Sequence, residues 1–356
     1  MSETKIYDWI LLYWMPYDNN LSPFRSTILK MLAKGVQSEN ILVLVQSDIF
    51  KQDPLSRSII TKDNVDTQQL NATNSASEEI FAEYLNWTKA QFSGKKWAII
   101  FLGHGGNLDE ISPDVHPVPD SSAGTQWMNI EKLNKVILDF NKKIDGQIEL
   151  IFLQNCCKGT IEAHYTFRHA AKYTLSSQTP LGAPNFYYES LLQFLGQHPA
   201  ISGSELTEKI MEFEDSGMYN SYTVTNNAAV CNLPLKINPL IESILSSNIK
   251  NIQISELSGK SWSYLYMDDR FADVISFFKW VVTQSSTDHQ KLDVFINFLT
   301  KEMIHKFQES PKTKYPNLTG LSLCIPSSKK QLDKYKYLKV FSDLKLVELF
   351  DPILRN

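Results

Sequence analysis

The chain has 356 residues, 43% of them apolar and 12% aromatic, with a net charge of −4 and a pI near 6.0. That is enough apolar material for one large α/β domain or two smaller ones. The mild acidity, with no run of five or more like charges, gives no electrostatic grip on nucleic acid or an anionic membrane. No stretch approaches 18 consecutive apolar residues, so no transmembrane helix is expected. The apolar run 9–14 is too short for a signal-peptide core and is flanked by Lys5 and Asp8. The expected location is the cytoplasm, or outside the cell by a route without a cleaved signal.

Residues 7–14 read as a buried strand. Ser22-Pro23 offers an N-cap followed by proline at the first helical position, and the helix closes at Gly35. A second strand spans 41–45, and 54–74 reads as a polar connection. Ser75-Ala76-Ser77-Glu78 forms a capping box ahead of a helix carrying Ile80, Phe81, Tyr84, Leu85 and Trp87, which stops at Gly94. Strand three spans 97–102. Segment 105–127 is rich in Pro, Asp and Ser, lacks periodicity and reads as an exposed loop. A helix over 129–140, a strand over 148–153 and a helix over 160–171 follow. Later come helices near 271–282 and 292–307, a strand at 320–325 and a last helical stretch from Leu344. Alternating strands and helices, with near-continuous apolar strands, imply a mostly parallel sheet covered on both faces.

Four cysteines, at 156, 157, 231 and 324, do not form a disulfide framework and read as reduced thiols. The chemistry gathers at two strand ends, where ligands of parallel sheets sit. Strand three runs into Gly103-His104-Gly105-Gly106. Strand four runs into Gln154-Asn155-Cys156-Cys157-Lys158-Gly159. If these strands are neighbours, histidine and thiol face each other. A thiol attacks as thiolate and needs an adjacent base at neutral pH. The glycines allow close backbone approach. Peptide N–H groups of Gly105 and of Cys156, the latter at the expected helix start, would serve a developing oxyanion. Taken singly, His104 reads as a turn residue and Cys156 as packing; their coincidence on one sheet edge favours chemistry. A metal site has less support: no second C-x-x-C or H-x-x-x-H pair occurs. His164 and His169 are five apart, about 140° around a helix. No phosphate-binding glycine motif is present.

These residues resemble a known group. Cys156 follows His104 by 52 positions within a Gln-x-Cys-x-x-Gly context, similar to the caspase pattern. The nearer resemblance is to the clostripain family of cysteine peptidases, of the same clan. The family's Y-M-A-A-D-N-x-L turn is matched by Tyr13-Trp14-Met15-Pro16-Tyr17-Asp18-Asn19-Asn20-Leu21. Its strand ending near Asp is matched at Asp48, and its H-G-G at His104-Gly105-Gly106. Its D-x-C-x-M-G-x-x-E is matched by Gln154, Cys156, Lys158, Gly159 and Glu162, and its late G-L-S-I-Y-F-P by residues 320–326. The resemblance runs collinearly along nearly the whole chain.

It implies a caspase-like three-layer α/β/α sandwich with a mostly parallel central sheet and a C-terminal, mainly helical extension. The implied organisation is a peptidase core over 1–250 and a subdomain over 251–356 that packs on the core and completes the fold. It implies a cysteine endopeptidase using a His104–Cys156 dyad, with Cys156 as nucleophile, Cys157 as packing, and Gly105 and Cys156 holding the oxyanion. No third orienting residue is named. The residues call for no cofactor or metal; the family leaves room for calcium. A monomer acting on polypeptide, not on nucleic acid or membrane, is expected.

Two departures bear on specificity. The family's acidic S1 residue two places before the cysteine is Gln154 here. The acidic segment after the next strand corresponds to Ser177 and Gln178, both taken as substrate-binding. A basic P1 side chain would lack a carboxylate, so a neutral polar or acidic P1 fits better. The loop between histidine and cysteine has no Lys or Arg from Gly105 to Glu131. The chain then works intact, or is cut after Asp109, Asp114 or Asp120. The drift at Gln154 and Lys158 also motivates an alternative, a caspase-fold binding protein without turnover.

Overall fold

The computed structural model describes residues 5–50, 54–117, 124–247, 249, 252–287, 289–315 and 317–355. In chain order the first half comprises β1 (Ile6–Met15), α1 (Arg25–Gly35), β2 (Ile41–Ser47), β3 (Ser56–Thr61), β4 (Asn64–Gln69), α2 (Glu78–Gln91) and β5 (Ser93–Leu102). There follow β6 (Glu110–Asp114), β7 (Gln126–Asn129), α3 (Ile130–Lys143), β8 (Ile148–Gln154), α4 (Ile161–Phe167) and β9 (Tyr173–Ser176). Then come α5 (Tyr188–Gln197), α6 (Gly203–Phe213), β10 (Ser221–Asn226), α7 (Asn227–Val230) and α8 (Leu233–Leu245). The last third adds β11 (Ser263–Tyr266), β12 (Asp269–Asp273), α9 (Val274–Ser285), α10 (His289–Phe298), β13 (Ile304–Glu309) and β14 (Ser322–Ile325). Three short helices close it: α11 (Lys329–Tyr335), α12 (Lys339–Asp343) and α13 (Leu346–Ile353).

A nine-stranded sheet runs β13-β10-β9-β8-β5-β1-β2-β3-β4. Its centre, from β9 to β2, is parallel. Both edges are antiparallel. Side-chain alternation along the central strands splits the core into two layers. Ile10, Leu12 and Trp14 of β1 join Phe81, Tyr84, Phe101 and Phe140 on one face. Trp9, Leu11, Tyr13 and Met15 join Leu192, Tyr187 and Tyr188 on the other. This is the three-layer sandwich the sequence implies. Two smaller sheets, β11-β12-β14 and β6-β7, lie outside it. Among the described residues no helix is long and apolar enough to cross a membrane.

Several local expectations are corrected. The polar connection 54–74 is the hairpin β3–β4, turned at Asp63 with φ of 61°. Every residue of β4 is exposed, so no apolar alternation marked it. Segment 105–127 carries the β6–β7 hairpin, and Leu108, Ile111, Ser112 and Asp114 are buried. The capping box resolves to Ser77, whose hydroxyl accepts from the Ile80 N–H. Ser75 instead donates its N–H and hydroxyl to Asp114. Ser22 caps nothing: Ser22-Pro23-Phe24 is a 3-10 turn before α1, and the Ser22 hydroxyl accepts from the Phe50 N–H. The helix expected over 271–282 begins as β12. The one expected to 307 is α-helical to Phe298, continues as a π-helical turn over Leu299–Met303 and gives way to β13, which pairs with β10 in the main sheet.

Because β2, β1, β5, β8 and β9 are parallel, the loops after them emerge on one edge. They begin at residues 48, 16, 103, 155 and 177 respectively.

Candidate active site

β5 and β8 are direct neighbours, with Leu102 opposite Gln154. Their loops are tied together immediately beyond the sheet. The Asn155 side-chain amide donates to the carbonyls of Gly103 at 3.0 Å and His104 at 3.2 Å. Gly105 packs so closely on the cysteine loop that a Cβ there would lie 2.2 Å from the Cys156 carbonyl oxygen. Below them the Lys158 ammonium, 1% exposed, donates to the carbonyls of Gly106 at 3.2 Å, Asn107 at 2.5 Å and Leu108 at 3.4 Å. Burial lowers the pKa of Lys158 to about 8, opposed by Cys157, Asp269, Asp109 and Glu110 nearby.

His104 and Cys156 line one cavity of about 50 Å³ together with Tyr17, Leu21, Gly103, Gln154, Leu181, Gly182, Ala183 and Asn185. The His104 Nε2–H donates to Asn20 Oδ1 at 2.7 Å. Burial holds the imidazole below its ordinary pKa, which favours the neutral base. The Cys156 sulfur accepts from the Leu181 N–H at 3.4 Å and lies 3.8 Å from the Leu181 carbonyl oxygen. Cys157 is fully buried with φ of 57°, a left-handed turn that carries the chain away from the cavity. Burial raises its thiol pKa.

The expected helix start at Cys156 is corrected: α4 begins at Ile161, capped by Thr160, so no helix dipole acts at the cysteine. Gln154 forms the cavity floor. Its amide nitrogen donates to Tyr188 Oη at 2.9 Å and to Asn185 Oδ1, and its Oε1 accepts from Tyr187 Oη at 2.8 Å. Behind Asn185, burial pushes Glu214 up to about 7.

Ser177 and Gln178 do not reach the cavity. Ser177 turns back on Thr179, its hydroxyl donating to the Thr179 carbonyl at 2.9 Å. The fully buried Gln178 binds Asp273, Ser322 and the Gly320 N–H instead. Their place is taken by Leu181, Gly182, Ala183 and Asn185, further along the same loop. Of the three aspartates considered as cut sites, Asp109 and Asp114 are buried and hydrogen-bonded to Tyr337 and to Ser75 and His116. Asp120 lies outside the described residues. Lys158 points beneath the loops, away from the cavity lining. The residues missed by sequence are Asn20, Asn155, Leu181, Asn185 and Tyr266, whose hydroxyl donates to the Gly105 carbonyl at 2.9 Å. Only Asn155 carried a signal, a polar residue between an apolar strand and the cysteine. Among the described residues no group of three or more His, Cys, Asp or Glu side chains is arranged to hold a metal.

A family model described as the clostripain family (Peptidase C11) matches residues 13–347. Comparison with curated proteins gives no significant match. Among solved structures, a secreted C11 cysteine protease from Bacteroides thetaiotaomicron, in complex with an irreversible peptide inhibitor, is similar at a TM-score of 0.72. Identity is 17%, covering 96% of this chain and 99% of that one. An inactive zymogen C11 protease from Parabacteroides distasonis is similar at 0.69, with 18% identity over 96% and 99% of the two chains. These likenesses bear out the caspase-like fold, and the family match covers all but the two ends: the chain belongs to the clostripain family of cysteine peptidases.

Proposed function

We propose that Cys156 is the nucleophile and His104 the base of an endopeptidase that cleaves after a small neutral residue. The observation that carries this is the shared cavity: one imidazole and one thiol, at the carboxyl ends of adjacent parallel strands, line the same opening. His104 takes the thiol proton, the sulfur attacks the scissile carbonyl, and the imidazolium returns the proton to the leaving amine. The peptide N–H groups of Gly105 and Cys156, on backbones pressed together, hold the oxyanion. Water, deprotonated by His104, then attacks the thioester carbonyl; the C–S bond breaks, the acid product leaves, and the sulfur recovers its proton from the imidazolium.

The P1 preference follows from the floor. Gln154 and Asn185 offer no formal charge, and a cavity of about 50 Å³ holds only a few waters. An Arg or Lys side chain would be too long and its charge unpaired. Apart from His104, no cation among the described residues lines the cavity, so a carboxylate at P1 would also go unpaired. The chain acts as a monomer on polypeptide, without nucleic acid. The reading needs no cofactor; a calcium requirement would show as loss of activity in EGTA.

The test is iodoacetamide labelling at neutral pH with hydrolysis of a P1-diverse peptide library. Cys156 should label faster than the half-buried Cys231, whose pKa is raised by burial. His104→Ala should slow Cys156 and abolish cleavage. Equal, sluggish labelling and no cleaved peptide would sink the proposal and favour the binding-protein alternative.

A further inference from the structure

The loop after β1 is held in one shape by its own side chains. Asn19, 5% exposed, donates its amide to the Pro16 carbonyl at 2.8 Å, and its Oδ1 accepts from the Leu21 N–H at 3.0 Å. Its carbonyl accepts from the Ser22 N–H at 3.1 Å. Asp18 is fixed from the other side: its carboxylate accepts from His116 Nδ1 at 2.9 Å, and its carbonyl accepts from the Val115 N–H at 3.2 Å. Between these two anchored residues and Leu21 of the cavity wall, the chain presents Asn20 outward. The Asn20 Oδ1 lies 2.7 Å from His104 Nε2.

A carbonyl oxygen can only accept, so the proton of a neutral His104 sits on Nε2. Nδ1 is then left with its lone pair, the state required of a base. The ring is also held against rotation about its Cβ–Cγ bond. An imidazole otherwise divides itself between two tautomers and several orientations, and only one combination can take the thiol proton.

We propose that Asn20 is a positioning residue that fixes the tautomer and ring orientation of His104. This rests on the dyad reading above. Asn20 touches neither substrate nor sulfur and acts through the imidazole. It is exposed, so its substitution should leave the fold intact.

The experiment compares the wild type with Asn20→Ala, Asn20→Asp and His104→Ala. Asn20→Ala should lower kcat about tenfold to a hundredfold, because a displaced base loses near-attack geometry. KM should stay within about twofold, since ground-state binding is untouched. Asn20→Asp keeps an acceptor, should recover most of kcat, and should move the acidic limb of kcat/KM up by about one pH unit, because a carboxylate stabilises the imidazolium. In 15N spectra of the full chain, His104 should be the Nε2–H tautomer in the wild type and a mixture in Asn20→Ala. If Asn20→Ala keeps kcat and its acidic limb while His104→Ala is dead, the inference falls and the peptidase assignment stands. If the wild type cleaves nothing and Cys156 labels no faster than Cys231, the assignment falls, and the 15N spectra still decide the positioning role. A dominant Nδ1–H tautomer in the wild type, or spectra of Asn20→Ala unchanged, would overturn it. Should Asn20→Ala fail to fold, the wild-type tautomer and the Asn20→Asp shift decide alone.

Discussion

Gly105→Ala isolates the fit between the two loops. The added methyl would sit 2.2 Å from the Cys156 carbonyl oxygen and 3.0 Å from Lys158 Cε, where ordinary contact begins at 3.4 Å. The first obstacle is backbone, which cannot rotate aside, so the loops must part by about 1 Å. The N–H of residue 105 survives the substitution, and its φ is not left-handed. Any loss is therefore one of placement. A displacement of that size at a reacting centre costs on the order of a hundredfold. Stability should fall by about 1–3 kcal/mol, the usual cost of overpacking. Steady-state hydrolysis of the best library peptide measures the first and urea unfolding the second. Gly124→Ala, with nothing within 4 Å, is the control and should match the wild type. If Gly105→Ala retains kcat/KM within about threefold, the two loops are not in the close register argued above.

Lys158→Met removes the ammonium that ties residues 106–108 to the cysteine loop. Its hydrogen-bond partners are carbonyls, which lose their donor, and the nearby carboxylates of Asp269, Asp109 and Glu110 lose a positive charge, so unfolding should be easier by about 1–3 kcal/mol with slower turnover; urea titration and kcat read both. Gln154→Glu keeps the floor's shape and puts a carboxylate where Tyr187 and Tyr188 can stabilise it. The added charge does not lengthen the cavity, so cleavage after Arg or Lys should stay undetectable while cleavage after the small neutral residue falls about tenfold; strong cleavage after Arg or Lys would show that charge, not length, sets the P1 choice. Asp48 is buried beside Asp114 and Asp18, and burial first, then Asp114, raises its pKa to about 8. A carboxyl raised in the folded state gives stability that is full below about pH 4 and lost as pH rises through 8. Asp48→Asn should therefore leave Tm unchanged at pH 4 and raise it at pH 8 and above; a difference independent of pH refutes this.

The meeting of His104 and Cys156 at one sheet edge was legible because both follow apolar strands whose periodicity is strong, and glycines mark the turns. The place of Gln154 in the cavity lining was legible too, since it is the last residue of β8. Beyond the strands legibility fades for physical reasons. Sequence offset placed Ser177 and Gln178 in the pocket, but the chain leaving β9 first turns inward, where Gln178 satisfies Asp273, Ser322 and Gly320. It returns to the cavity only at Leu181. Asn20 sits in a turn with no periodicity to mark it, and its approach to His104 depends on how Asn19 curls the backbone. The edge strands β4 and β13 are exposed or half-exposed and polar. They lack the alternation that reveals a half-buried strand.

The last third of the chain is not a passive cover. Tyr266 donates to Gly105, Asp269 accepts from the Leu108 N–H at 2.6 Å, and the Asp268 N–H donates to Asn107 Oδ1 at 3.1 Å, so the β11–β12 hairpin grips the histidine loop. β14 grips the other side: the Ser322 N–H donates to the Gly159 carbonyl at 2.8 Å, and the Cys324 N–H donates to the buried Glu162 at 2.8 Å. The loops carrying His104 and Cys156 thus both find part of their backbone partners beyond residue 250. A buried peptide group without its partner costs about 1–3 kcal/mol, and several would be orphaned together if these strands were lost. Burial pushes the pKa of Glu162 up to about 8, and the Cys324 N–H, with the Glu162 backbone N–H and the Thr160 hydroxyl, opposes that rise. The site is therefore assembled by the whole chain, with the central sheet setting which residues meet and the C-terminal strands setting how closely.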